Sequence, residues 1–397
     1  MRLAQEHLPE LEVRSERYLQ RPHSVLADLR SHGPIARSHR GLEVLSYDLV
    51  QRVLATEEME TAGSSHFRDH GAPQVLIDFV SDGLLLNMPR ERHDPVRRIV
   101  SRAFGMREIK QQRPMIDETL AEVLAPLFAR GEFDVVEDFT RLYPMLVLCR
   151  YLGVPVDDLP RFAESAVQLE LMGSSPLKPA FPMLELALNS LRDYIVELVS
   201  RRRAEPREDF ISALVHAQDE DGTITETEVV WSIVNLLFAG QDTTRYQLAS
   251  TIQGLLESNV WAKLATSPEL IPSAMEEALR YRPVVQFLLR IPSCTVTVGN
   301  YEFPAGQRVV LNMLAASRDA NTFSEPDRFD LHRDRRYSLL FGHGMHYCVG
   351  RQLARLEMEL ALERLITTIP NAQISSTVSS TGWQSMLGGP RNLRLAF

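Results

Sequence analysis

A chain of 397 residues with 44% hydrophobic content can bury a large core, and its net charge of −9 argues against nucleic acid as a partner, short of a local basic patch. Cys149, Cys294 and Cys348 are odd in number and far apart, which speaks against a disulfide framework and fits a reducing cytosol. Residues 1–20 hold neither a signal-peptide core nor an anchor helix, and the apolar run 229–240 is too short to span a bilayer, so no membrane association and a soluble, cytoplasmic protein are expected.

After the polar leader, residues 22–33 read as a short helix, 35–47 alternate about Gly41 as a hairpin does, and a helix follows from Asp48. Residues 61–86, broken by Gly63, Gly71, Pro73 and Gly83, form a long irregular segment of the kind that often carries function. The basic block 91–98 leads a helix with His93 and Arg97 at i, i+4. Helical patterns continue over 114–130 and 135–152, then less regularly to Arg203. Thr225-Glu226-Thr227-Glu228 is a capping box that opens an apolar helix running without proline to about Glu257, roughly 50 Å long. In its middle, Ala239-Gly240-Gln241-Asp242-Thr243-Thr244 breaks helical preference, where a packing notch competes with a site; the acid in an apolar stretch favours a site with local distortion. A further helix, 272–282, carries Glu277 and Arg280 at i, i+3. Short strands then occupy 287–291, 295–298 and 308–311, and a polar loop spans 317–336. Residues 369–397 read as short strands and turns.

That loop delivers the chain to Phe341-Gly342-His343-Gly344-Met345-His346-Tyr347-Cys348-Val349-Gly350. Val349, Leu353, Leu356 and Leu360 share one helical face, so Cys348 sits at a helix N-terminus, where the dipole is expected to lower its pKa and make a thiolate available to a metal. Gly342 and Gly344 can take unusual backbone angles, and Gly350 leaves a flat ligand unobstructed.

These stretches together resemble the cytochrome P450 family, the heme-thiolate monooxygenases, over most of the chain. The specific part is Phe-x-x-Gly-x-His/Arg-x-Cys-x-Gly, met by Phe341, Gly344, His346, Cys348 and Gly350; Glu-x-x-Arg is met by Glu277 and Arg280, and Pro-x-Arg-Phe by residues 326–329. The resemblance implies a mainly helical, triangular domain over 1–397 with a small β region and a long central helix over heme b (iron protoporphyrin IX). It makes Cys348 the iron ligand, His93, Arg97, Arg290 and His346 the partners of the heme propionates, and Glu277, Arg280 and Arg328 a buried structural charge network. Asp242 and Thr243 fall on the acid and alcohol that deliver protons to iron-bound oxygen. The chain departs from many soluble bacterial members at residues 87–90, Asn-Met-Pro-Arg, and Gln241 holds a variable position. The implied partners are O2 and a ferredoxin or flavodoxin with its NAD(P)H reductase, which Arg102, Arg351 and Arg355 are candidates to attract, and a monomer is expected. The implied substrate is moderately apolar, free or tethered to a carrier protein, as in natural-product tailoring. Its pocket is expected along parts of 61–86 and 171–186, Leu236, Leu237, Ala239, residues 284–288, Met386 and Leu387, with polar recognition by His66, Arg68, His70 or Gln286 weighed against solvent exposure.

Three other readings remain at this point. One is a peroxide-using or non-oxygenating heme protein of the same fold. A zinc site at His343, His346 and Cys348 is remote, because Cys149 and Cys294 bring no partner motif. A phosphate loop fails, because Tyr347 stands where the third glycine would be.

Overall fold

The helix Glu226–Glu257 organises the molecule. Its 32 residues start on the expected box: Thr225 Oγ1 accepts from the Glu228 N–H, and the Glu228 carboxylate accepts from the Thr225 N–H. It is buried on nearly every side, as an interior helix must be. Phe79, Val100, Phe139, Leu148, Leu188, Leu279 and Leu360 belong to the core around it. The computed structural model describes residues 8–173, 176–222, 224–334, 339–383 and 385–397. The start of the 1–20 leader, two residues of 171–186 and the last two of 317–336 lie outside them.

The other elements follow the expected order. Helices Pro22–Ser31 and Tyr47–Ala55 flank the hairpin Ile35–Ser38 and Gly41–Val44. That hairpin pairs in parallel with Val309–Asn312, which pairs with Phe287–Pro292, giving a five-stranded sheet ended by Met59–Glu60. Gly41, at φ 140°, is required there, because a Cβ would sit 2.3 Å from the Arg308 carbonyl oxygen. The segment 135–152 divides into a π-helical turn Val135–Thr140, capped by Asp134, and a helix Tyr143–Leu152 begun by Pro144.

Segment 61–86 is more ordered than its composition indicates. Helices Ser65–Asp69 and Gln74–Asp78 continue into the π-helical turn Phe79–Gly83, and the Thr61 hydroxyl donates to the Leu86 carbonyl at 3.0 Å, closing the loop. Gly83 packs so closely on Trp231 of the central helix that a Cβ would lie 2.9 Å from it. Arg92, in the helix Arg90–Ala103, ties this region to the central helix by bonding Asp82 at 2.7 Å and Glu228 at 2.9 Å.

Candidate active site

The cysteine loop is set by its own backbone. Cys348 donates its N–H to the Phe341 carbonyl at 2.8 Å, and Tyr347 donates to Gly344 at 3.0 Å. Gly344 has φ +70°, and a Cβ there would come within 2.7 Å of the Leu54 carbonyl, so the loop can seat on the 47–55 helix only with glycine. The helix Arg351–Thr368 follows with Gly350 at its N-cap, and a Cβ on Gly350 would meet nothing within 4 Å, which leaves the expected open face.

The expected fall in the Cys348 pKa does not occur in the protein alone. Burial pushes the thiol up, and the N–H groups of Gly350 and Arg351 with the charges of Arg97 and Arg351 offset only part of that. A helix terminus supplies fractional charge, whereas a metal cation supplies whole charge and would deprotonate the thiol outright.

The segment before the loop is held by Glu277, which receives a two-point bond from Arg280 at 2.7 and 2.8 Å and a bond from the Asp330 N–H at 2.9 Å. Arg280 also donates to the carbonyls of Ser317, Pro326 and Arg328. The third charged member differs from the expected Arg328, whose side chain is exposed and pairs with Glu325 at 3.0 Å. Arg333 takes that place, its Nε 3.0 Å from Glu277. Arg328 contributes its carbonyl, because the turn that delivers that oxygen to Arg280 sends the side chain outward.

Around the loop stand four basic residues, His93, Arg97, Arg290 and His346, which among the described residues have one carboxylate partner between them, Asp94 on His93. Arg290 is 3% exposed, and its one hydrogen bond among the described residues goes to its neighbour Leu289's carbonyl. Burial alone lowers its pKa to about 10. His93, 1% exposed, bonds Asp94 through Nδ1 at 2.9 Å and leaves Nε2 buried and unbonded. Its ring meets His346 edge to face at 5.3 Å. Arg97 donates to the Tyr347 carbonyl. Burial, then the charges of Arg290, His93 and Arg97, bring His346 down to about 4 in the protein alone, and the two propionates would act in the opposite sense. Cationic and polar side chains buried this deeply with only one carboxylate, Asp94, beside them among the described residues are rare in folded proteins, and this set fits the carboxylates of a flat dianionic cofactor beside a cysteine ligand. Heme meets that description. A zinc site does not: among the described residues no group of three or more His, Cys, Asp or Glu could hold a metal ion.

Across the central helix, residues 228–255 are buried except Phe238, Ala239, Gly240 and Thr243, which keep some exposure in the middle of the molecule. The expected distortion does not occur. The segment stays helical throughout, with the Thr243 hydroxyl donating to the Ala239 carbonyl at 2.7 Å. Gly240 meets the packing-notch reading of the motif, since a Cβ there would lie 3.0 Å from Leu148. Asp242 is 1% exposed, and neither oxygen has a hydrogen-bond partner. Burial, then Glu170, raise its pKa to about 7, with Arg245 opposing.

Of the expected pocket residues, Val285, Phe287, Leu288 and Leu387 are half-buried and Ala239, Leu86 and Met386 are exposed, whereas Leu237 is fully buried in the core. Gln286 is not solvent-facing. It is 3% exposed, donates to the Gly382 carbonyl at 3.1 Å and lies where a Cβ on Gly388 would stand, so it clasps the C-terminal loop. Arg355 is paired with Glu276 at 2.5 Å, which leaves Arg102 and Arg351 as the freer charges on that face. The sequence does not single out Arg333, Arg245 and Glu170, because no motif or spacing marks them.

The chain matches the sequence profile described as Cytochrome P450 over residues 14–259 and 261–369. It is 36% identical to the cyclomarin C epoxidase CymV of Salinispora arenicola, covering 94% of this chain and 95% of that one. It is 33% identical to the nocardicin C N-oxygenase of Nocardia uniformis, covering 88% of each. The solved structure of CalO2 superposes with a TM-score of 0.90 at 27% identity, covering 98% of this chain and 99% of that one. P450BioI, solved in complex with a fatty-acid-ligated acyl carrier protein, gives 0.87 at 26% identity, covering 96% of this chain and 100% of that one. With a cysteine loop, a buried anion cradle and a central helix of this form, the chain belongs to the cytochrome P450 family, carries heme as its cofactor and is a P450 monooxygenase.

Proposed function

We propose that this single-domain enzyme inserts one atom of O2 into a moderately apolar natural-product intermediate by hydroxylation or epoxidation, in the cytoplasm and as a monomer. The observation that carries the site assignment is the convergence of Arg290, His93, Arg97 and His346 at the cysteine loop, with, among the described residues, His93 Nε2 buried and unbonded and Arg290 buried beside no carboxylate. Bound heme with a cysteine thiolate supplies dioxygen activation, the thiolate favouring O–O cleavage. Cys348 presents its sulfur with the Gly350 and Arg351 N–H groups directed at it. His93, Arg97, Arg290 and His346 hold the propionates, and the Glu277, Arg280 and Arg333 knot keeps the loop in register. Asp242 holds or releases a proton near neutral pH, and the Thr243 hydroxyl, one residue on, orders water on the exposed strip of the helix. Apolar walls at Ala239, Val285, Leu288 and Met386 select an apolar substrate and exclude bulk water.

Electrons come from a separate ferredoxin or flavodoxin with an NAD(P)H reductase, docking near Arg102 and Arg351. Relatives named as a cyclomarin C epoxidase and a nocardicin C N-oxygenase support the natural-product reading, and the P450BioI complex makes a carrier-tethered substrate a defined variant of it. Coupling of NAD(P)H oxidation to product, measured with a reconstituted donor system over a compound panel, tests the reading. Thr243→Ala is expected to divert most electrons to peroxide; coupling equal to wild type would contradict the proton-delivery role.

A further inference from the structure

One face of the central helix holds more unbonded polar groups than Asp242 and Thr243 alone explain. Both Asp242 oxygens, Gln241 Oε1 and Arg245 Nε are buried without a hydrogen-bond partner, within five residues of chain. More than about nine in ten buried polar groups are bonded, so such a concentration marks space for ordered water. Arg245 reaches Asp242 only at 3.6 Å, and its guanidinium lies 4.9 Å over the Tyr246 ring. The Tyr246 hydroxyl donates to Glu170 Oε2 at 3.4 Å, and Glu170 is exposed in the turn Leu169–Gly173. Residues 242, 245 and 246 are spaced i, i+3, i+4 and share a face. Gly389 backs the phenol closely, since a Cβ there would lie 2.9 Å from the Tyr246 ring, so the hydroxyl is held toward the surface carboxylate. A polar line therefore runs from Asp242 past Arg245 and Tyr246 to solvent.

We propose that Glu170 is the solvent-side end of the path that reprotonates Asp242, with Arg245 positioning the water between them. The inference rests on the proton-delivery role given to Asp242 above. A solvent proton is taken by the Glu170 carboxylate and passed through water to an Asp242 oxygen. Each water gives up one proton as it gains one, Glu170 returns to its anion, and no electrons move. The charged groups acting on Asp242 are Glu170, which raises its pKa, and Arg245 of its own helix, which lowers it. Tyr246 acts through Glu170.

The test is an infrared pH titration of the resting ferric enzyme, following the protonated-carboxyl band that disappears in Asp242→Asn. Glu170→Gln is expected to move the band's midpoint to lower pH, Arg245→Gln to higher pH, and Glu170→Asp to leave it near wild type. In turnover, Glu170→Gln is expected to enlarge the solvent isotope effect and to raise peroxide release several-fold, with recovery in Glu170→Asp. An unmoved midpoint and unchanged peroxide yield in Glu170→Gln overturn this inference, even where Thr243→Ala uncouples the enzyme. Normal coupling in Thr243→Ala overturns the proton-delivery reading instead, so the two failures are told apart.

Discussion

Glu277 and Arg290 are charges buried to nearly the same degree, 4% and 3% exposed, yet their surroundings are opposite. Glu277 receives two arginines and a backbone N–H, and its partner Arg280 spends its remaining donors on three carbonyls. Arg290 has, among the described residues, only its neighbour's carbonyl. A saturated buried charge is explained by the fold that surrounds it, because every cost of desolvation is met from within. A buried charge left unmet points to something outside the polypeptide. By the same criterion Asp242, unbonded at both oxygens, belongs with Arg290, and Arg333 with Glu277.

The strongest way to break the contrast is to remove the centre of the saturated knot. Glu277→Ala leaves two buried guanidinium groups uncompensated and is expected to cost about 3–5 kcal/mol in urea unfolding, with the cysteine loop loosened. Asp242 should behave in the reverse sense. Its pKa is raised from 3.8 to about 7, so the folded state binds the proton more tightly than the unfolded one. The contribution of Asp242 to stability is therefore fullest below about pH 4 and declines as pH rises to about 7, and Asp242→Asn removes that component. The variant gains on the order of 4 kcal/mol over wild type above pH 7, read from the difference between the two proteins in unfolding at a series of pH values. Arg290→Met sharpens the same point: the heme-free protein is expected to gain about 2 kcal/mol, while heme dissociates faster from the loaded one. Arg328→Ala, at an exposed side chain, is expected to change stability by less than about 0.5 kcal/mol, and a large loss would return Arg328 to the knot.

Much of this was legible in the sequence because local rules carry it. The capping box at Thr225 and Glu228, the glycines about Cys348 and the Glu277-x-x-Arg280 spacing are decided within a few residues, and the structure places them as the spacing requires. What local rules do not carry was read less well. Strand Glu132–Asp134 is defined by pairing with Arg394–Ala396, more than two hundred residues away. Arg333 and Arg328 are equivalent arginines of one loop until the turn orients them. The lowered His346 pKa and the raised Cys348 thiol follow from burial by distant elements, which a local reading of charge and helix dipole leaves out.

The most direct test of the central claim is the absorption spectrum of the reduced, carbon monoxide-treated protein, for wild type and Cys348→Ala. A red-shifted band typical of thiolate-ligated heme, present in wild type and lost in the variant, is the predicted result. A colourless protein, or a band that survives replacement of Cys348, would contradict it.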